Sequence, residues 1–207
     1  LRDTVAPHAN ACRLVHGESD LLPGLVVDRF GEVAVMQALG YGMDLRKELL
    51  ADLLMQEAGV KTVYLRNDAK SRALEGLPLS KGFLRGDGPT TVPIHEGKAQ
   101  FTVDIAEGQK TGFFLDQRDN RRTIRRHAAG ATVLNLFAYT GGFSLHAALG
   151  GATRVTSVDL APRAIAGLAR NAALSGLPAD AHEPVCADAF EFLARAARGG
   201  RTWDLVI

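Results

Sequence analysis

Apolar and polar positions alternate along this chain in two different rhythms. In the first half they form short runs with period two: residues 11–15, 24–30 and 33–39 read as strands, the last two joined by a turn at Arg29-Phe30-Gly31-Glu32. A helical stretch follows over residues 43–58, apolar at Leu45, Leu49, Leu53 and Leu54, charged at Arg46, Lys47 and Glu48, and stopped by Gly59 in the C-cap role. Residues 63–66 return to strand. Residues 75–91 carry Gly76, Pro78, Gly82, Gly86, Gly88 and Pro89 and read as an irregular connector, after which residues 91–95 and 99–104 make two strands joined at Glu96-Gly97. The first half is therefore expected to be a small α+β module with a mostly antiparallel sheet, spanning residues 1–105.

From residue 106 the rhythm changes. A helix over residues 116–127 leads into strands at 132–137, 154–158, 183–186 and 202–207, separated by helices at 142–149, 162–175 and 189–197. The helix at 162–175 has Pro162 in its first turn, Gly176 past its end, and Ile165, Leu168 and Ala172 on one face. Strands alternating with crossover helices mean a parallel, doubly wound sheet, whose ligands sit beyond the carboxyl ends of the strands. Residues 106–207 are thus expected to form a Rossmann-like α/β domain, with its chemistry at residues 135–142, at Asp159, at Asp188 and past Ile207.

Composition narrows the class without naming a function. Of 207 residues 46% are hydrophobic and 23% charged, and the 24 Lys and Arg against 23 Asp and Glu leave a net charge of +1, so affinity for a nucleic acid has to come from a local patch. Two cysteines, Cys12 and Cys186, make no disulfide framework and favour a reducing, cytoplasmic setting; each reads as a buried structural residue. No run approaches the roughly 18 apolar residues of a membrane span, and no signal peptide is recognisable. His8, His16, His95, His127, His146 and His182 form no metal-ligand pattern, so no metal is expected. The polar start at Leu1 and the apolar finish Trp203-Asp204-Leu205-Val206-Ile207 lead us to expect an excerpt of a longer protein, its sheet stopping at the fourth parallel strand.

The first strand-to-helix turn of the second half reads Asn135-Leu136-Phe137-Ala138-Tyr139-Thr140-Gly141-Gly142, and Asp159 ends the next strand. An acid in that place can accept both ribose hydroxyls of an adenosine cofactor. A dinucleotide turn needs G-x-G-x-x-G to lay a pyrophosphate on the helix N-terminus, but here Phe137 and Tyr139 stand where small residues are required. S-adenosylmethionine has no phosphate; Gly141 and Gly142 can let it approach the backbone, and an aromatic can face its sulfonium. Asp188, after the third strand, reads equally as an acceptor for the adenine amino group and as a helix N-cap. Arg118, Arg121, Arg122, Arg125 and Arg126 lie on one helix: Arg118, beside the Gly112 turn, suits a cofactor carboxylate, and the other four suit an RNA backbone or a solvated face.

Four segments carry a family resemblance: Q-K-T-G-F-F-L-D-Q-R-D-N-R (109–121), V-L-N-L-F-A-Y-T-G-G-F-S (133–144), G-G-A-x-x-V-T-S-V-D (150–159) and W-D-L-V-I (203–207). Together they resemble the class I S-adenosylmethionine-dependent large-subunit rRNA cytosine-C5 methyltransferases with an N-terminal PUA domain, and G-E-S-D-L-L-P-G-L-V-V-D-R-F-G (17–31) is similar to the start of that family's central domain. The resemblance implies that Asn135, Phe137, Tyr139, Thr140, Gly141, Gly142, Asp159 and Asp188 line the cofactor pocket and that large-subunit rRNA is the substrate, with a homodimer left open. It also implies that the PUA domain precedes Leu1 and that an Asp-Pro-Pro segment and the cysteine nucleophile follow Ile207, so the catalytic residues are unknown within this sequence and the 207-residue chain alone is expected to be inactive. Methylation of another RNA base position, a non-catalytic RNA-binding module and an NAD(P)-dependent oxidoreductase are the alternatives.

Overall fold

The computed structural model describes residues 8–207, so the polar start read at Leu1 lies outside the described residues. The chain divides into two compact units: one runs to Glu96 and takes in Val103–Leu115, and the other holds Gly97–Thr102 and Asp116–Ile207. The boundary expected at 105/106 falls inside Val103–Leu115. That segment is tied to the first unit by Arg66, which donates through Nη1 to the carbonyls of Ile105 and Gly108, each at 3.0 Å.

The first unit contains a five-stranded sheet in the order β1 (Ala11–His16), β2 (Leu25–Phe30), β3 (Val33–Ala38), β4 (Thr62–Asn67), β5 (Ser80–Arg85). Neighbours are antiparallel except β3 and β4, which run parallel because helix α1 (Lys47–Ala58) crosses over between them. One sheet face buries Leu25, Val27, Ala34, Met36, Val63 and Leu65 against Ala51 of α1, with Leu50, Leu54 and Met55 packed alongside. That differs from the expected helix in two ways. The run from residue 43 breaks at Arg46, after a separate turn Tyr41–Asp44 whose Asp44 is held by Lys47 and by the buried Arg72. The core stripe is Leu50, Ala51, Leu54 and Met55, while Leu45, Leu49 and Leu53 face outward. β5 was not expected at all, since its segment is rich in glycine and proline. It is an edge strand with one ladder neighbour, a position that tolerates such residues. β6 (Thr91–Glu96) and β7 (Ala99–Asp104) match the expected pair of strands.

On the opposite face of the first sheet lies Asp28, fully buried. Arg13 grips its carboxylate with two hydrogen bonds of 2.7 and 2.8 Å, and the Thr111 hydroxyl donates to it at 2.6 Å. The D-R-F-G and Q-K-T-G segments are therefore joined through the hydrogen bond from Thr111 to the ion-paired carboxylate of Asp28. Gly108 and Gly112 are required there, because a Cβ on either would stand 2.3 Å from the Asp104 carbonyl oxygen or 2.5 Å from Val103 Cγ1.

The second unit is built on a parallel sheet in the order β10 (His182–Cys186), β9 (Arg154–Asp159), β8 (Thr132–Leu136), β11 (Leu205–Val206). Its helices are α2 (Arg118–His127), α3 (Gly142–Leu149), α4 (Pro162–Leu174) and α5 (Ala189–Arg198). One apolar cluster joins Val133 and Val155 to Ala128 and Ala147, and another joins Leu134 and Val158 to Phe192 and Ala196. The sheet is thus covered on both faces, as its near-continuous β-branched runs require. The fourth strand is shorter than the expected 202–207 because Asp204 turns aside to accept the backbone N–H and hydroxyl of Thr132, at 2.8 and 2.7 Å. The strand order reverses between β8 and β11, which places the ligand crevice beyond the end of β8. No helix among the described residues is long and apolar enough to cross a membrane.

Two predictions follow from this packing. Asp28→Ala removes the acceptor shared by Arg13 and Thr111, and by the cost of breaking a partly buried ion pair it should lower stability by about 2–3 kcal/mol, read as a shift of the urea midpoint. His182 is buried on β10, and desolvation holds its pKa below the ordinary 6.5, with neighbouring Glu183 opposing the shift. The unfolded chain therefore takes up the proton first, so stability is full above pH 6.5 and declines as pH falls from there through the lowered folded value. The melting temperature of His182→Gln should change less over that window than that of the parent.

Candidate functional site

The chain leaves β8 under strain. Phe137 (φ 53°), Tyr139 (φ 48°) and Gly141 (φ 86°) all adopt left-handed backbone conformations within five residues, and two of them are bulky. Each such non-glycine residue costs roughly 1–2 kcal/mol, so the surroundings must hold the turn. Asp159, at the end of β9, accepts the Tyr139 N–H through Oδ2 at 2.8 Å, and the Val158 carbonyl accepts the Ala138 N–H at 3.0 Å. Asn171 of α4, fully buried, donates through Nδ2 to the Thr140 carbonyl at 2.9 Å and accepts the Thr102 N–H through Oδ1 at 2.8 Å. Gly141 must be glycine for its conformation and for space: a Cβ there would stand 2.8 Å from Leu168 Cγ.

Asp159 is only half committed to this task. Its Oδ1 accepts the Ala161 N–H at 2.9 Å, which leaves one lone pair on each oxygen for a pair of hydroxyls. Asp188 is half committed in the same way. It caps α5, with Oδ1 accepting from the N–H groups of Phe190 and Glu191 at 2.9 and 3.0 Å, while Oδ2 makes no hydrogen bond among the described residues. Beside these acids stand two exposed aromatics, Phe137 at 67% and Phe190 at 72%, with ring centroids 6.2 Å apart in an edge-on arrangement. The edge thus combines a tight, phosphate-poor turn, unfilled carboxylate lone pairs and exposed aromatic faces. An adenosine with a short zwitterionic tail fits that chemistry, and a pyrophosphate does not.

Several sequence expectations are corrected here. Asn135 does not reach the crevice: it is 2% exposed and donates through Nδ2 to Ser144 Oγ at 2.8 Å, beneath the turn. Arg121, expected on an RNA-facing surface, is also 2% exposed, and its side chain lies under Gly142, where a Cβ would sit 3.1 Å from its Cδ. The reason is helix phase. α2 packs on α3, which turns Arg121 inward, leaves Arg118 and Arg125 half-buried and exposes Arg122 and Arg126. Cys186, expected to be buried, is exposed at the end of the edge strand β10. Thr140 and Gly142 lie in the turn as expected, half-buried. Sequence reading missed Asn171, Phe190, Ser144, Ser157 and His182. Asn171 had a signal, since it falls on the apolar face of its helix three residues after Leu168, where a polar residue needs a partner.

Comparison with known proteins agrees with this chemistry. The Ribosomal RNA large subunit methyltransferase I of Shewanella amazonensis is 41% identical over 94% of this chain and 50% of its own length. The protein of the same name from Erwinia tasmaniensis is 40% identical over 100% of this chain and 53% of its own. The chain thus spans about half the length of these relatives. The crystal structure of SMU.776 complexed with S-adenosylhomocysteine matches with a TM-score of 0.85 at 30% identity, over 99% of this chain and 53% of that one. The family profile described as S-adenosylmethionine-dependent methyltransferase matches residues 77–206, which include β8, the strained turn, Asp159 and Asp188. With more than half of its sequence inside that profile, the chain belongs to the S-adenosylmethionine-dependent methyltransferase family.

Proposed function

We propose that this chain holds the methyl donor of an enzyme that methylates large-subunit rRNA in the cytoplasm, at cytosine C5. The observation that carries the cofactor side of this reading is Asp159, which braces the strained turn through Oδ2, accepts the Ala161 N–H through Oδ1 and keeps one lone pair on each oxygen for ribose hydroxyls. The rRNA side is supported by the names of the relatives, and the C5 position by the family resemblance of the 109–121 and 133–144 segments.

In this reading Asp159 takes the ribose, Asp188 Oδ2 the adenine amino group, and Phe137 and Phe190 shield the base from water. Gly141 and Gly142 let the amino-acid end approach the start of α3, and Arg118 is the candidate for its carboxylate. When bound, S-adenosylmethionine supplies a methyl group activated by its sulfonium. The protein's part at this site is to present that group in one orientation and exclude water from it. Arg122 and Arg126, with half-buried Arg125, leave a basic face on α2 suited to phosphates, a role that Arg121 cannot share.

Calorimetry with S-adenosylhomocysteine and with NAD should show binding of the first alone. Asp159→Asn keeps an acceptor for only one of the Tyr139 and Ala161 N–H groups and loses the charge, so affinity should fall at least about tenfold while melting temperature falls by only a few degrees. A large drop in melting temperature at unchanged affinity would make Asp159 purely structural. For the substrate, protein carrying this chain is incubated with labelled S-adenosylmethionine and unmodified large-subunit rRNA, and the digested nucleosides are separated. Label in 5-methylcytidine is expected; label in another nucleoside would overturn the C5 position.

A further inference from the structure

The polar groups beneath the turn form one continuous chain that the cofactor reading does not use. Asn135 Nδ2 donates to Ser144 Oγ at 2.8 Å, the Ser144 and Ser157 hydroxyls are 2.7 Å apart, and Ser157 Oγ lies 2.9 Å from His182 Nε2. All four residues are buried. The chain crosses three neighbouring strands, β8, β9 and β10, and its second link is a helix residue. Ser144 is the third residue of α3, directly after the turn ending at Gly141-Gly142. A buried polar side chain in the first turn of a helix decides where that turn sits on the sheet, and this is the turn whose backbone N–H groups lack intrahelical acceptors.

Counting hydrogens gives the chain a direction. The Asn135 amide nitrogen can only donate, so Ser144 accepts from it, and each hydroxyl has one hydrogen to pass on. Every link is satisfied within the chain when Ser144 donates to Ser157, Ser157 donates to His182 Nε2, and His182 is neutral with its proton on Nδ1. Burial favours that neutral state. An end group that cannot accept leaves the Ser157 hydrogen without an acceptor in the chain and frees that hydroxyl to turn away from Ser144, and an end group that only donates reverses the chain and leaves the Ser144 hydrogen without one.

We propose that His182 is a positioning residue for the cofactor turn: as the terminal acceptor it orients Ser157 and Ser144, and through Ser144 it sets the first turn of α3 against β8. This rests on the reading of the turn as the S-adenosylmethionine site. His182 itself touches no cofactor, since it lies at the start of β10, four residues before the carboxyl end of that strand. The ladder that joins β10 to β9 consists of backbone bonds, so the effect on the turn is separable from the fold.

The test is calorimetric titration of the purified protein with S-adenosylhomocysteine, with melting temperature measured in parallel. His182→Leu removes the acceptor and should weaken binding about tenfold, Ser157→Ala should do the same, and the double variant should be no worse than either, because both cut one chain. His182→Gln offers an acceptor at similar reach and should restore affinity to within about twofold of the parent. Should His182→Leu fail to fold, Ser157→Ala and His182→Gln carry the test. Parent-like affinity in every folded variant, or losses that simply add, would overturn the proposal while leaving the cofactor reading intact. Failure of the parent itself to bind would remove the cofactor reading instead.

Discussion

The hydrogen bond from the Tyr139 N–H to Asp159, 2.8 Å long, is the contact on which the carboxyl edge of the parallel sheet depends. It works with the Ala138–Val158 and Asn171–Thr140 bonds to offset the left-handed conformations of Phe137 and Tyr139, which would otherwise relax toward ordinary backbone angles. With it, the chain doubles back tightly enough to start α3 at Gly142 and to leave Phe137 projecting into solvent. One carboxylate therefore braces the turn and, in the proposed reading, also recognises the ribose. A carboxylate can do this because each oxygen has two lone pairs and the backbone uses only one.

The same economy recurs around the turn. Asp188 caps α5 with one oxygen and keeps the other open. Asn171 spans a carbonyl in the turn and an N–H outside it, acting as a peptide group in side-chain form. Arg121 fills the space under Gly142. A site of this kind is stiff before any ligand arrives, which keeps the ordering cost of binding low. The first unit applies the same device to its own loop, where buried Asp28 gathers Arg13 and Thr111 and so fixes the strand-rich sheet to the segment that carries the Q-K-T-G motif.

The bulky turn also accounts for the choice of cofactor class. A pyrophosphate needs several backbone N–H groups converging on it past small residues, and Phe137 and Tyr139 prevent that approach. A sulfonium cofactor needs hydroxyl acceptors, an aromatic surface and one close backbone contact, all of which the edge of β8, β9 and β10 provides.

The alternation of strand and crossover helix, the glycine turn after β8 and the acids after β9 and β10 were legible in the sequence, because each is set by residues a few positions apart. Local spacing also located Pro162 and Gly59, and the family resemblance located the Q-K-T-G segment. It could not say that Asn135 and Arg121 are buried, that Cys186 is exposed, that α1 turns Leu50 rather than Leu49 to the core, or that residues 80–85 find a strand partner. Those outcomes depend on helix phase and strand order, which bring together groups such as Asp28 with Thr111, Asn171 with Thr140, and Ser157 with His182, 83, 31 and 25 residues apart. The sequence by itself determined which elements form and which acids end the strands, since backbone propensity and side-chain period are short-range. Only the tertiary structure decided which polar groups meet a ligand and which meet one another, since a buried donor takes whatever acceptor the packing places within about 3 Å of it.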